Sequence, residues 1–399
     1  MLSKTGPLKG VRVLDLTAML AGPYTTMLLA DLGAEVVKVE PPDGDLTRYA
    51  GPFRADDTED GLAGYFQSVN RGKRSLVLNL REERSRQQLL DLVGRAAVLV
   101  ENFSAGVMER LGLGYEELRE HNPALVYAAL RGFGDRRSGA SPYADWPAFD
   151  VVAQAMGGYL SITGTEDGTP VKSGPGVGDI FPGALLAVGI VSALRHAERT
   201  GEGQFVDVAM YDAMVSLSER AVHQYSYTGV SPGTVGNQHP LLYPFGIFRT
   251  ADGWIALAAN RDHHWQLTAA AMGRPELADD PRFSTNTARS EHRGELAPIL
   301  SGWLRSQTNA ALVTLLGGRV PIGPVHSAAD LFRDPHLSNR QMLLALEQPG
   351  SEQPVTVAGQ PLKFSGTPYG TPERAPLLGE DSFPAVLAAW SEGNSEEQT

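Results

Sequence analysis

The chain has 399 residues, including 44 Gly and 27 Pro, and is 42% hydrophobic; it can bury a full core in two or more domains and is not a disordered, coiled-coil or collagen-like chain. Lys plus Arg number 34 against 46 Asp plus Glu, a net charge of −12, so no chain-wide positive field exists for nucleic acid or an anionic membrane. Cysteine is absent, which excludes disulfides, thiolate nucleophiles, Cys-ligated zinc and iron–sulfur clusters.

The opening MLSKTGPLKG has no apolar h-region and no cleavage site, so a cytoplasmic location is expected. Residues 11–16 read as a strand, 23–32 as a helix opened by Pro23 and closed by Gly33, and 35–39 as a second strand. Further strands are expected at 75–80, 97–100 and 125–130, separated by helices near 82–92 and 107–113. This alternation points to an α/β fold with a parallel, doubly wound sheet. Residues 150–160 and 182–196 read as helices, and 204–210 as a strand entering a helix through Glu219. The most apolar run, 180–194, spans about 15 residues, short of the roughly 20 that cross a bilayer, and reads as a buried helix.

The pattern changes after Tyr225. Residues 228–244 are rich in Gly, Pro, Asn and Ser and read as a crossing loop. A hairpin over 245–250 and 254–259, a helix over 263–271 and two more before Gly317 make a small α+β domain, with its exit at 321–325. The Pro-rich segment 353–378 is expected to return to the first domain. The division is therefore 1–225, 226–325 and 326–390, with 391–399 as an acidic, disordered tail.

The first strand-turn-helix, VRVLDLTAMLAGP, lacks G-x-G-x-x-G, so a nicotinamide or flavin dinucleotide is not expected. P-loop, G-x-S-x-G and H-E-x-x-H patterns are absent, and the adjacent His263 and His264 cannot share one helix face, so no metal site is expected. The basic turn Asn70-Arg71-Gly72-Lys73-Arg74-Ser75 reads either as a solvated loop or as a phosphate locus. Asn102 and Phe103 followed by Arg110 form a second locus, and Arg131 at a strand end a third. Strand C-termini of a doubly wound sheet line the ligand edge, where converging cations suit a phosphate-bearing ligand. The segment Ser173-Gly174-Pro175-Gly176-Val177-Gly178-Asp179 precedes the most apolar helix. Its glycines permit close approach and positive φ. Asp179 reads either as an N-cap or as a carboxylate nucleophile aimed into a glycine-lined pocket.

Taken together, LDLTAMLAGP, ADLGAEVVKVEPPDGD, NRGKRSLVLNL, VENFSAGVMERLGLGY, PAFDVVAQAMGGYLSITG, GVGDIFPG, RTGEGQFVDVAMYDAM, DPRFSTNTAR, VPIGPV and APLLGED resemble the class III coenzyme A transferases over nearly the whole chain. That family includes formyl-CoA transferase and the carnitine CoA-transferases. The resemblance implies a Rossmann-like large domain built from both chain ends, a smaller α+β domain, and an interlocked-ring homodimer. It places the catalytic aspartate on Asp179 and CoA contacts on Ala18, Leu20, Ala21, Lys73, Asn102, Phe103, Arg110, Arg131 and Met210. Coenzyme A is then a substrate, with no tightly bound cofactor, and the partners are an acyl-CoA and a small carboxylic acid. The family mechanism passes through an aspartyl-acyl anhydride and an aspartyl-CoA thioester, with succinyl-CoA or another dicarboxylyl-CoA as the donor that the analogy suggests and backbone N–H groups near Gly174, Gly176 and Gly178 around the oxyanion.

Two departures narrow the reading. Pro41 stands where one family pattern has an arginine, and His239–Phe245 lacks the glycine run of formyl-CoA transferase, which argues against formyl or oxalyl specificity. The α-methylacyl-CoA racemases share the fold and use the histidine of Gly-His-Asp; here the segment is Ala148-Phe149-Asp150, and phenylalanine accepts no proton. Phe149 therefore favours a transferase over a racemase, and Asp179 favours an enzyme over a CoA-binding protein without turnover.

Overall fold

A computed structural model describes residues 5–57, 62–368, 370 and 373–392. Six short runs rich in β-branched residues form the main sheet: β1 (Arg12–Asp15), β2 (Glu35–Glu40), β3 (Arg74–Val77), β4 (Val98–Glu101), β5 (Val126–Arg131) and β6 (Phe205–Ala209). All pairings are parallel, and the spatial order is β3-β2-β1-β4-β5-β6. Alternate residues supply two buried layers: Val13, Val36, Val98 and Val126 on one face, Leu14, Val37, Leu99 and Tyr127 on the other. Burial on both faces is why apolar residues predominate in these strands, with most of the charges at strand ends. The order reverses between β1 and β4, so the crevice beyond their C-terminal ends is the favoured ligand position of such a sheet.

The accompanying helices are α1 (Ala21–Asp31), α2 (Gly64–Asn70), α3 (Glu83–Val93), α4 (Val107–Arg110), α5 (Tyr115–His121), α6 (Asp150–Met156), α8 (Val177–Thr200), α9 (Met210–Leu217) and α10 (Glu219–Thr228), while α7 (Tyr159–Ile162) follows α6 in the chain and falls, after Tyr159, in a second unit. Leu29 of α1, Leu186 and Ile190 of α8 and Met214 of α9 pack on the first layer, while Leu89 of α3 and Leu118 of α5 pack on the second.

Helix α8 differs from the expectation of 182–196. It is 24 residues long and starts five residues before Pro182, because only one intrahelical bond, to the Gly178 carbonyl, is lost to that proline. By length and composition it is apolar enough to cross a membrane. Its Leu186, Ala187, Ile190, Ala193 and Leu194 are nevertheless packed in the sheet's core.

The chain divides into two compact units. The first takes the described residues of Met1–Tyr159, Ser173–Tyr227 and His336–Thr399, and the second those of Leu160–Lys172 and Thr228–Pro335. In the second unit, β7 (Phe245–Arg249) and β8 (Trp254–Ala258) form the hairpin, followed by α11 (Asp262–Ala271), α12 (Asn286–Glu291), α13 (Arg293–Arg305), α14 (Asn309–Leu316) and β9 (Ile322–Pro324). Three α-helices, not two, lie between α11 and β9. The segment read as an exit is a third strand, β9, antiparallel to β8. The DPRFSTNTAR motif serves this unit's core: the fully buried Arg289 donates to the carbonyls of Tyr243, Phe283 and Asn260 and pairs with Asp262.

The chain rejoins the first unit at His336, after the expected boundary at 326 and ahead of the Pro-rich segment. After α15 (Ala328–Leu331) and α16 (Pro335–Asn339) come the antiparallel pair β10 (Leu343–Leu346) and β11 (Val355–Ala358), and then α17 (Phe383–Glu392), whose Val386 and Trp390 join the second sheet layer. Ser391 and Glu392, expected in a disordered tail, close this helix, and 393–399 lie outside the described residues.

Candidate active site

The chain leaves β1 into a turn, Thr17–Leu20, that enters α1 at the strand-order reversal. Three side chains hold its amides: Thr17 N–H donates to Asp15 at 2.9 Å, Ala18 N–H to Asn102 at 2.8 Å and Met19 N–H to Asp45 at 3.2 Å. Asn102, just past β4, also donates its Nδ2 to the Ala18 carbonyl at 2.8 Å, tying the two strand ends together. Met19 has φ of 70°, a left-handed conformation that a non-glycine residue keeps only when its surroundings enforce it.

Asp179 approaches this turn from α8. The helix crosses α1 at Gly183, where a Cβ would stand 2.6 Å from the Ala21 carbonyl oxygen, and Thr25 Oγ1 donates to the Gly183 carbonyl at 2.9 Å. One turn earlier on the same face lies half-buried Asp179. A Cβ on Gly176 would be 2.9 Å from Leu20 Cδ2, 3.5 Å from an Asp179 carboxylate oxygen and 3.9 Å from Asp150 Cγ, so Leu20 and both carboxylates surround this glycine.

Asp150, at the start of α6, caps α8: its Oδ1 accepts from Gly178 N–H at 2.8 Å and from Gln154 Nε2 at 2.7 Å. Gln154 in turn accepts from Ser173 N–H at 3.2 Å, so α6 holds the glycine segment at both ends. The phenol of Tyr65 on α2 is pushed above its ordinary value, first by burial and then by the charges of Asp179, Asp45 and Asp150.

These contacts revise several expectations. The helix N-cap is Gly176, and Asp179 stands in the first helical turn. Gly174, Gly176 and Gly178 do not take positive φ; Gly176 and Gly178 instead permit close approach, since a Cβ on Gly178 would lie 2.6 Å from the Asp150 carbonyl oxygen. Gly178 N–H is committed to Asp150 at 2.8 Å, so of the three glycine amides expected around an oxyanion this one is already engaged.

The basic turn at 70–75 is not a basic patch. Arg71 pairs with Asp31, Arg74 with Asp381 and Lys73 with Asp15. Lys73 Nζ donates to Asp15, Asn70 and the Pro23 carbonyl at 2.8, 2.8 and 3.0 Å, and its side chain has no exposed surface. All three ammonium protons are engaged, so a direct phosphate contact from Lys73 does not fit this geometry. Arg131 is likewise buried between Glu101 and Asp135. Met210 lies at 5% exposure in the core and Ala21 at 5% at the start of α1, whereas Ala18 and Leu20 are half-buried in the turn. Phe103 packs against the second core layer. Arg110 is exposed and makes no ion pair among the described residues.

Sequence reading missed Lys38, Asp45, Asp150 and Gln154. For Lys38 the signal was a lysine in the middle of the apolar strand Glu35–Glu40, where a charge persists only with partners. Asp45 accepts from Thr47 N–H at 2.9 Å, a capping role that the sequence Asp45-Leu46-Thr47 does not single out.

Comparison with known proteins decides what this arrangement belongs to. Residues 8–382 match the family model described as CoA-transferase family III. The chain belongs to CoA-transferase family III. The chain is 52% identical to a succinyl-CoA:mesaconate CoA-transferase from Haloarcula hispanica over 375 residues, 94% of each chain. It is 37% identical to a succinate–glutarate CoA-transferase from Agrobacterium fabrum, covering 94% of this chain and 93% of that one. A solved structure of a CAIB/BAIF family protein from Brucella suis superposes with a TM-score of 0.86 at 36% identity, covering 97% of this chain and 100% of that one. This family III member is therefore a class III acyl-CoA:carboxylate CoA-transferase, and CoA thioesters are its substrates.

Proposed function

We propose that the enzyme moves CoA from succinyl-CoA, or another dicarboxylyl-CoA, to a free dicarboxylic acid, with Asp179 as nucleophile. One observation carries the reading: Asp179 stands half-buried at a glycine-lined helix start, beside Leu20 of the turn at the strand-order reversal. The relatives named for succinyl-CoA, mesaconate, succinate and glutarate support the dicarboxylate class.

In this mechanism an Asp179 carboxylate oxygen attacks the thioester carbonyl, and the C–S bond breaks to give a mixed anhydride and CoA thiolate. A carboxylate of reference pKa about 3.9 expelling a thiolate of about 8.5 makes this step uphill. Retention of CoA beside Asp179 compensates, because recapture is effectively unimolecular, with effective molarities reaching about 10⁵ to 10⁸ M. The thiolate attacks Asp179 Cγ, forming an aspartyl-CoA thioester and releasing the donor carboxylate. The acceptor carboxylate attacks the same carbon, forms the second anhydride and expels the thiolate, which takes the acceptor acyl group and restores Asp179. No water and no net proton enter. The amides of Gly174 and Gly176 are the candidates for the oxyanion donors.

Arg110 is the cation we assign to CoA phosphate; Ala18, Leu20, Asn102 and Phe103 line the remaining contacts. We place the enzyme in the cytoplasm as an interlocked homodimer; Val188 at 64% and Tyr227 at 90% exposure support a second copy covering the outer faces of α8 and α10. Incubation with succinyl-CoA and mesaconate, analysed by liquid chromatography, should yield mesaconyl-CoA and succinate in equal amounts. Hydrolysis to free CoA without acyl exchange would refute the reading.

A further inference from the structure

Beneath the turn Thr17–Leu20 lies a buried pair that the family reading does not use. Lys38, inside β2, has no exposed side-chain surface; its Nζ donates to the Thr17 carbonyl at 2.6 Å and lies 3.1 Å from Asp45 Oδ2. Asp45, with 1% side-chain exposure, accepts from Met19 N–H at 3.2 Å and from the backbone and hydroxyl of Thr47, both at 2.9 Å. The pair thus grips a carbonyl at one end of the turn and an amide two residues on. With Asp15 on Thr17 N–H and Asn102 on both polar groups of Ala18, the three successive amides of the turn are all engaged by side chains.

We propose that Lys38 and Asp45 are positioning residues that fix Met19 in its left-handed conformation and so set the ligand-facing surface of the turn beside Asp179. The consequence for recognition is specific. With its amides turned inward, the turn is not an anion-binding nest; it offers CoA the side chains of Met19, 36% exposed, and Leu20. Left-handed backbone at a methionine is unfavourable, so it relaxes once Asp45 releases the Met19 amide.

The inference rests on CoA as the ligand, and the test separates the two. Amide hydrogen exchange of residues 17–20 is measured in wild type, Asp45→Ala, Asp45→Asn and Asp31→Asn, together with the Kd for CoA by calorimetry. Asp45→Ala should lose protection at Met19 and bind CoA at least tenfold more weakly. Asp45→Asn, which keeps an acceptor for Met19 N–H, should recover most of both. Asp31→Asn removes the charge of the buried pair with Arg71 and controls for lost stability; it should leave protection at 17–20 and CoA affinity unchanged. Retained protection in Asp45→Ala overturns the clamp whatever the ligand is. Lost protection with an unchanged Kd overturns its role in recognition, as does equal weakening by Asp31→Asn. Wild-type protein that binds no CoA refutes the CoA reading, and the exchange data then still judge the clamp.

Discussion

Asp15 shows how much of the site's chemistry is spent on holding backbone. Burial pushes its carboxyl up, but the ammoniums of Lys73 and Lys38 and the hydrogen bonds from Lys73 and Thr17 outweigh this and hold it at a pKa of about 2. The folded value lies below the ordinary 3.8, so the linked stability is present above about pH 4 and is lost as pH falls through 2. A difference of that size corresponds to about 2 kcal/mol. Urea denaturation between pH 5 and 2.5 should show a steeper loss for wild type than for Asp15→Asn; parallel curves would deny the ion pair. Lys73→Met strands the buried Asp15 carboxylate, and breaking such a pair typically costs about 3 to 5 kcal/mol. The denaturation midpoint should therefore drop sharply. A variant of wild-type stability that has lost only CoA affinity would restore Lys73 to the phosphates.

At the scale of elements, α6 and α8 decide where Asp179 points. Removing an N-terminal cap costs about 1 kcal/mol. Asp150→Ala should thus destabilise modestly and, because the freed Gly178 amide carries the glycine segment with it, lower kcat about five- to tenfold. Asp150→Asn should restore much of both, and unchanged kcat in Asp150→Ala would detach the cap from catalysis. These elements also mark how far the sequence could be read. The alternation of apolar strands with helices makes the sheet legible, because it rests on local period; the glycines before an apolar helix draw attention to Asp179 but leave it open between a cap and a nucleophile, and the resemblance alone assigns the second role. Pro182 resembles a first-turn proline, so the sequence alone starts α8 there; the five residues of helix before it are held by the Asp150 cap, 28 residues from Gly178, a contact that local sequence does not show. The partners of Lys73 and Arg131 were hidden for the same reason. A basic residue at a strand end reads alike whether it faces a phosphate or a carboxylate brought in from another strand.

For the whole molecule, Phe149 and the exposed apolar faces make separate claims. Phe149 is 64% exposed at the N-cap of α6 and carries no group that moves a proton. Deuterium wash-in to a 2-methylacyl-CoA should therefore be negligible beside CoA transfer, and comparable rates would revive the racemase reading. Val188, Val222, Tyr225 and Tyr227 leave an apolar surface on α8 and α10 that favours a covering partner. Sedimentation equilibrium should give twice the chain mass of 42.8 kDa, and a monomer at micromolar concentration would contradict the homodimer.

Covalent chemistry at Asp179 is the claim on which the mechanism stands. Incubation with succinyl-CoA, trapping with hydroxylamine or borohydride, and mass-spectrometric peptide mapping test it most directly. The modification should fall on the peptide containing Asp179 and disappear, together with CoA transfer, in Asp179→Ala. Modification at another carboxylate, or full activity in Asp179→Ala, would contradict the account.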